Sequence, residues 1–586
     1  MKYVLRYLNP YKKRMLLGLI IKIFGTFADL GLPWVLAYIL DEVIPYKKIS
    51  YILLWGLLML VLAIAARQLN IIANRMASKV ARDSVQRIRH DAFEKICHLS
   101  GAQVDLLSVP SLISRMTSDT YNLHHVIGMM QRLGVRVPII LVGGIVLTST
   151  LDLVLTLVLL ATLPLLALVI YIVSKVGIPI YTKMQLRVDT MVRTIRENII
   201  GIRVIKALSK TEYEKDRFRK VSEEVSDYEL KAGSVMALSG PLMNLLLNVG
   251  LAFIIVVGAY RVNGGQMLPG KIVAFLSYFT MILNAMMMVN RLFVGFSKGS
   301  ASAKRMEELL LQEEDLKVAT SSIEASKEDL LHATQKPNEK TPFIQFDQVS
   351  FGYTGSLDKR VLKSVSFSLQ KGDNLGIIGS TGSGKTTIVN LLMRFYDVKE
   401  GKIYIDGKDI RSYSLRELRN MYGTVFQNDM IFADTIAENI SFGRELDQNQ
   451  IEMAAKYACA KEFIENKEGA YEFRAAIKGA NLSGGQKQRI LIARALANHP
   501  QILILDDSSS ALDYKTDANL RQAIREELKA TTLITIAQRI SSVMHMDHIL
   551  VLEEGEVIGY GSHEELLASC EVYQEIYESQ MGGIKK

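Results

Sequence analysis

Six apolar runs, each long enough to cross a bilayer as a helix, fill the first half of the sequence and decide what such a chain can fold into. A helical span needs about 20 apolar residues. The stretches 15–38, 51–70, 126–150, 152–173, 242–261 and 272–296 meet that requirement. Hydrocarbon offers the backbone no hydrogen-bond partner, so each run has to be helical. Residues 340–586 read instead as an ordinary soluble α/β domain, and 586 residues are too many for one compact unit. The N-terminus lacks the small-residue cleavage site of a secretory signal, and its apolar run continues into a full span.

Charge orients the spans. The third and fourth runs are joined by a tight link at Thr150-Leu151-Asp152, and the links Asp41–Ser50 and Val262–Lys271 are also short. The connectors 71–125 and 175–231 are long and crowded with Arg and Lys, Lys183, Arg187, Arg193 and Arg196 among them. By the bias of basic loops toward the cytoplasm, both connectors and both termini are cytoplasmic. Both connectors keep helical periodicity and hold few Gly or Pro, so they read as continuations of the spanning helices. The net charge of +9 therefore belongs to membrane topology, and no nucleic-acid partner is expected. Three widely separated cysteines, Cys97, Cys459 and Cys570, fit neither a metal site nor a disulfide framework.

Several polar residues fall inside the spans: Lys22, Asp29, Asn244, Asn248, Asn284, Asn290 and Arg291. Intramembrane ionisable groups face a cavity or a partner. They either line a substrate path or serve as interhelical hydrogen bonds and snorkelling helix ends. Met281, Met286, Met287 and Met288 suit an adaptable apolar surface or plain packing.

In the soluble part, Gly379-Ser380-Thr381-Gly382-Ser383-Gly384-Lys385-Thr386 is a complete G-x-x-x-x-G-K-T loop. It follows a strand expected at Asn374–Ile378 and opens a helix expected at Thr386–Phe395. Its backbone N–H groups would close around phosphates, with Lys385 on the β/γ-phosphates and Thr386 on Mg²⁺; Thr387 completes the set. A second strand, Ile502–Leu505, ends in Asp506-Asp507. Asp506 would hold the Mg²⁺, and Asp507 stands where a residue polarises the attacking water. The fold class expected is thus multi-domain: an all-α six-helix transmembrane domain over 1–311, a polar linker over 312–341, and an α/β P-loop domain over 342–586.

Asn481-Leu482-Ser483-Gly484-Gly485-Gln486-Lys487-Gln488-Arg489, lying between the P-loop and Asp506, resembles the signature motif of the ATP-binding cassette (ABC) superfamily. By that resemblance Tyr353 stacks on adenine, Gln427 (in Val425-Phe426-Gln427-Asn428) is the Q-loop residue and a further Mg²⁺ ligand, and Ser510-Ala511-Leu512-Asp513 is the D-loop. Leu482, Ser483, Gly484, Gly485 and Gln486 would meet a partner's ATP. Ser114–Asp119, Glu197–Lys206 and Ser302–Arg305 resemble the intracellular loops of ABC exporters, which implies short coupling helices near Gly101–Ser108 and Ala207–Thr211. ATP and Mg²⁺ are the implied cofactors, and a multi-pass location in a bacterial cell membrane is implied with them.

Three positions depart from the family pattern. Asp507 stands where Glu is usual, Gln538 (in Ile536-Ala537-Gln538-Arg539) where His is usual, and Arg474 where exporters have Glu. A shorter carboxylate and a side chain that carries no proton would slow hydrolysis while sparing ATP binding. The pattern resembles one half of a bacterial heterodimeric exporter, often a multidrug exporter, whose partner half supplies the complete catalytic residues. A working homodimer, a lipid flippase and a nucleotide-binding regulatory subunit remain the alternatives, and amphiphilic drugs, lipids and peptides fit the spans equally well.

Overall fold

The structure, a computed structural model, describes residues 2–313, 315–316, 341–353, 360–508 and 512–582. Most of the expected linker, and Ser510 and Ala511 of the expected D-loop, lie outside the described residues. The chain divides into two compact units: Met1–Cys97 with Pro110–Gln312, and His98–Val109 with Glu313–Lys586.

The first unit is helical. Among the described residues, six helices are long and apolar enough to cross a membrane, and the apolar runs lie in Lys12–Tyr38, Ile49–Cys97, Thr120–Leu151, Leu153–Ile200, Ser239–Asn263 and Pro269–Leu310. The second and fourth helices, 49 and 48 residues long, run far past their apolar segments. Thr211–Ala237 likewise makes the second connector helical. The second short helix is Ile202–Ala207 rather than Ala207–Thr211. The displacement follows from Gly201, which ends the long helix and starts the short one at once.

Helix ends and crossings are tied by polar groups that hydrocarbon would otherwise leave unpaired. Asp152 caps the fourth helix by accepting from the Leu155 N–H at 2.9 Å, and its other oxygen pairs with Arg261 at 3.0 Å. Asp41 accepts the Gly270 N–H at the start of the sixth helix at 2.6 Å. Tyr278, fully buried among Phe275, Phe279 and Leu155, donates its hydroxyl to the Leu30 carbonyl. Asn244, Asn248, Asn284 and Arg291 are exposed on this unit, and the Asn290 side chain lies outside the described atoms. Met281 and Met288 pack against the apolar clusters, the packing alternative for that group.

The third and sixth helices are joined below their apolar runs by one buried carboxylate. Asp119, 1% exposed, ends a π-helical turn at Arg115–Asp119 and accepts from Arg305 Nε at 2.9 Å and also from its NH2. Arg115 donates to the Arg305 carbonyl, and Asn122 donates to Ser302. Removing the carboxylate would take from Arg305 the buried acceptor it bonds twice, leaving Glu308, 3.7 Å from Arg115, as the nearby acid.

In the second unit β1 (Ile344–Phe351), β2 (Leu362–Leu369), β4 (Glu400–Ile405) and β5 (Lys408–Asp409) form an antiparallel sheet in the order β2-β1-β4-β5. A six-stranded sheet combines β3 (Asn374–Gly379), β6 (Tyr422–Val425), β7 (Ile502–Asp506), β8 (Thr532–Ile536), β9 (His548–Glu553) and β10 (Glu556–Gly561) in the order β10-β9-β3-β8-β7-β6. Only β10 runs against its neighbour. The parallel strands β3, β8, β7 and β6 therefore end along one edge, where α/β sheets bind ligands.

Asp119→Ala should lower the midpoint of thermal inactivation of the detergent-solubilised protein by several degrees, and Asp119→Asn, which keeps an acceptor, by less. Equal, negligible shifts would show that the Arg305 pair carries no packing load.

Candidate nucleotide site

The strand β3 hands its chain directly to the helix Lys385–Leu392 through five residues, and glycine is required at both ends of that turn. Gly379 has φ +156 and a Cβ there would lie 2.1 Å from the Leu552 carbonyl; Gly384 has φ +102 and a Cβ would strike Leu362 at 2.6 Å. Lys385 folds back over the loop and donates to the carbonyls of Gly379 (2.9 Å) and Ser380 (2.7 Å). Burial pulls its pKa down, against the opposing fields of Asp506 and Asp507. An ammonium held by two neutral carbonyls is ready to exchange them for phosphate oxygens. Ser383 is buried, and its hydroxyl finds no partner. Ser380 and Thr381 are exposed on the loop, as is Gly382, which also has positive φ.

The Thr386 hydroxyl donates to Asp506 at 3.1 Å. Burial raises the Asp506 pKa, and the neighbouring Asp507 raises it further, while Thr386 and Lys385 pull it down. A buried carboxylate beside a second acid and a hydroxyl is a donor set of hard oxygens that fits a Mg²⁺ ion. Asp507 is half-buried, takes φ +51, and its N–H donates to the Ile536 carbonyl at 2.9 Å. Gln427 is exposed two residues past β6, and Gln538 is exposed two residues past β8. The main chain of Gln538 is held from the C-terminal helix: Gln580 donates to its carbonyl at 2.9 Å and accepts the Ile540 N–H at 2.7 Å. All four segments leave the same edge of the sheet.

Tyr353 is 40% exposed and its ring meets Phe351 and Tyr396 edge-on at 5.1 Å. Its hydroxyl shares a 3.0 Å hydrogen bond with Thr387 and accepts from Asn390 at 3.3 Å, so the ring is pinned beside the P-loop helix.

The Leu482–Gln486 segment sits elsewhere. Leu482 is buried, and Ser483 and Gln486 form a capping box at the head of the 13-residue helix Gly484–Leu496. That helix packs with Ile436–Ser441 and Gln448–Tyr457 in a core that also takes Val425, Leu503, Leu505 and Leu533 from the six-stranded sheet. The exposed Gly484 and half-buried Gly485 leave a helix N-terminus suited to an anion. Asn481 secures the preceding turn by bonding Ala476 and Arg474 main-chain atoms, and Arg474 itself is exposed. Asp513 caps the helix Tyr514–Glu527 through Thr516. The S-x-x-Q spacing of a capping box was readable in the motif, although its structural duty was not foreseen.

Comparison with known proteins agrees with this geometry. Residues 15–286 match the model of the ABC transporter transmembrane region, and residues 362–510 match the ABC transporter model. The uncharacterized ABC transporter ATP-binding protein YfiB of Bacillus subtilis is 35% identical over 99% of both chains. The chain belongs to the ABC transporter family. The ATP-dependent lipid A-core flippase of Vibrio parahaemolyticus is 29% identical, over 99% of this chain and 98% of its own. A bacterial Atm1-family ABC exporter with ATP bound shares the fold at a TM-score of 0.81, with 24% identity over 97% of this chain and 99% of that one.

In this ABC transporter the segment His98–Val109, although flanked by spanning helices, packs with the cassette. Its helix Gly101–Leu107 opens with a capping box of Ser100 and Gln103. The Gly101 N–H donates to the Phe395 carbonyl at 3.1 Å, and a Cβ on Gly101 would lie 2.8 Å from the Tyr396 ring. The Tyr396 hydroxyl donates to Asp105 at 2.7 Å. Tyr396 thus touches both the short helix and Tyr353, a junction that no motif announced. Tyr396→Ala should raise amide exchange across 101–107 by about tenfold, the loss of roughly one hydrogen bond and its packing. Unchanged exchange would mean that Ser100 and Gln103 hold the segment without the ring.

Proposed function

We propose that this chain is one half of an ATP-driven exporter carrying amphiphilic drugs or lipids out across the cell membrane, and that it is the hydrolysis-impaired half of a heterodimer. The observation that carries the reading is the pairing of a complete phosphate loop, Thr386 and Asp506 with Asp507 and Gln538 at the two hydrolytic positions.

Thr386 and Asp506, with Gln427 after β6, would hold a Mg²⁺ ion, which when bound would supply positive charge against the phosphates. Lys385 takes the β/γ-phosphates, the N–H groups of residues 380–386 line the rest, and Tyr353 offers its ring to adenine. Asp507 is one methylene shorter than Glu, which withdraws its oxygen by about 1–1.5 Å from the water and out of hydrogen-bond reach. Gln538 donates a hydrogen bond but carries neither proton nor charge. Each loss costs about 10²–10⁴-fold in rate, and the two need not multiply because they act on one event.

The Gly484 helix N-terminus serves the nucleotide of a second half-transporter. ATP draws the two cassettes together, the Gly101–Leu107 and Ile202–Ala207 helices carry the closure to the spans, and hydrolysis at the partner's residues resets the cycle. A lipid flippase is the second reading, favoured by the flippase named among the relatives.

Purified alone, the chain should bind ATP yet turn it over at least about tenfold more slowly than with its partner; brisk turnover alone would refute the division of labour. Asp507→Glu with Gln538→His should raise turnover at this site. Tyr353→Ala should weaken ATP binding by about 1–3 kcal/mol, whereas Tyr353→Phe, which keeps the stacking face, should stay within a few-fold.

A further inference from the structure

The spanning runs hold six cations (Lys22, Arg67, Arg132, Arg136, Arg261 and Arg291) against two carboxylates, Asp29 and Asp152. Asp152 is already taken by Arg261. Arg136 pairs with Asp29 and Lys22 lies within its field, where the first, second and third spanning helices meet, and Arg132 lies within the field of Lys22. Lys22 is 3% exposed, and its ammonium donates to Asn70 at 2.8 Å and Asn74 at 3.0 Å, both neutral amides. Asp29 accepts from Asn70 at 3.1 Å and from Arg136 at 3.0 Å through the same oxygen. Arg136 Nε is buried without a hydrogen-bond partner. Arg132, one turn before Arg136, lies within electrostatic reach of Lys22 and bonds the Gly128 carbonyl of its own helix.

Three positive charges thus share one carboxylate, roughly 9–15 Å inside the cytoplasmic ends of their runs at the helical rise per residue. Snorkelling does not relieve a lysine buried this completely, and an uncompensated intramembrane charge is costly. On the cytoplasmic side of the cluster is a cavity of about 380 Å³, mostly apolar, lined by Met15, Leu19, Ala73 and Ala77 with Lys12 and Gln131. The three cations do not line this cavity, but Leu19 and Gln131 of its wall lie within one turn of Lys22 and Arg132 on their helices. An apolar cavity one turn from unbalanced cations matches a molecule with an apolar body and an anionic head.

We propose that Lys22, Arg132 and Arg136 form a binding site for the anionic headgroup, phosphate or carboxylate, of a transported amphiphile. This rests on the exporter reading and narrows its substrate class. Asp29 positions Arg136 and keeps the empty site from carrying the full charge of three cations. The headgroup supplies the missing negative charge and accepts from the free guanidinium donors.

The test uses the intact transporter, with any half-transporter that co-purifies, in phosphatidylcholine nanodiscs. Dodecyl phosphate, dodecyltrimethylammonium and dodecyl maltoside are compared as ligands of equal chain length. Dodecyl phosphate should bind at least about tenfold more tightly than the other two. Arg132→Gln should weaken that binding and Asp29→Asn should strengthen it, opposite shifts that a merely structural role of the cluster would not produce. Equal binding of the three amphiphiles, or shifts of the same sign in both variants, would overturn the site. If ATP does not move a fluorescent dodecyl phosphate between leaflets of phosphatidylcholine vesicles holding the transporter, the cations hold a resident lipid and the transported-substrate proposal falls. Basal ATPase activity measured in the same nanodiscs separates failure of this site from failure of the exporter reading.

Discussion

A polar group inside hydrocarbon has no water to fall back on, and most of the first unit can be derived from that constraint. It makes the six runs helical and permits helices of 48 and 49 residues, whose distal turns need no change of backbone pattern to continue into water. It also explains where side-chain hydrogen bonds occur. Asp152, Asp41 and the Tyr278 hydroxyl each satisfy a group that burial would otherwise orphan. Asp119 does so for Arg305 at the π-helical turn of the third helix, where Arg115 in turn donates to the Arg305 carbonyl.

The cassette obeys a different geometry. Parallel strands end together, so residues more than a hundred positions apart in the chain arrive at one edge. Lys385 and Thr386 follow β3, Asp506 and Asp507 close β7, and Gln538 follows β8. The register fixes this: Ile377 and Asp506 both pair with Ile536 across the shared strand. The burial of Asp506 and Lys385, with Asp507 crowded onto Asp506, creates an electrostatic tension: the Asp506 pKa is pushed up and that of Lys385 down. A divalent cation with phosphate would relieve it.

Much of this was legible because periodicity and short motifs are local. Apolar run length placed the spans, and glycine spacing placed the loop that Gly379 and Gly384 require. Contacts between distant residues were not legible. Lys22 and Asp29 stood out singly, but Asn70, Arg132 and Arg136 were absorbed into apolar averages and Asn74 into the polar connector, and only their i, i+4 spacing on two helices hinted at a shared face. The second short helix was misplaced by about one turn because Gly201 serves as both end and start. The duties of Ser483, Gln486 and Asp513 as helix caps were hidden behind their motif roles.

Those caps bear on how the cassette divides its labour. Ser483 and Gln486 spend their side chains on each other, which leaves the backbone N–H groups of Gly484 and Gly485 as what the signature helix can offer an anion. Glycine at both positions lets a phosphate approach that N-terminus closely. On the other face of the cassette Tyr353 and Tyr396 meet edge-on, and Tyr396 meets Gly101 where no side chain fits between them. A shift of Tyr353 against a bound base would be felt at Tyr396, and from there at a helix covalently continuous with the second and third spans. Tyr396 thus joins the half-exposed ring beside the P-loop helix to Asp105 and Gly101 of the short helix in one packed contact, so that neither ring can move without displacing the other.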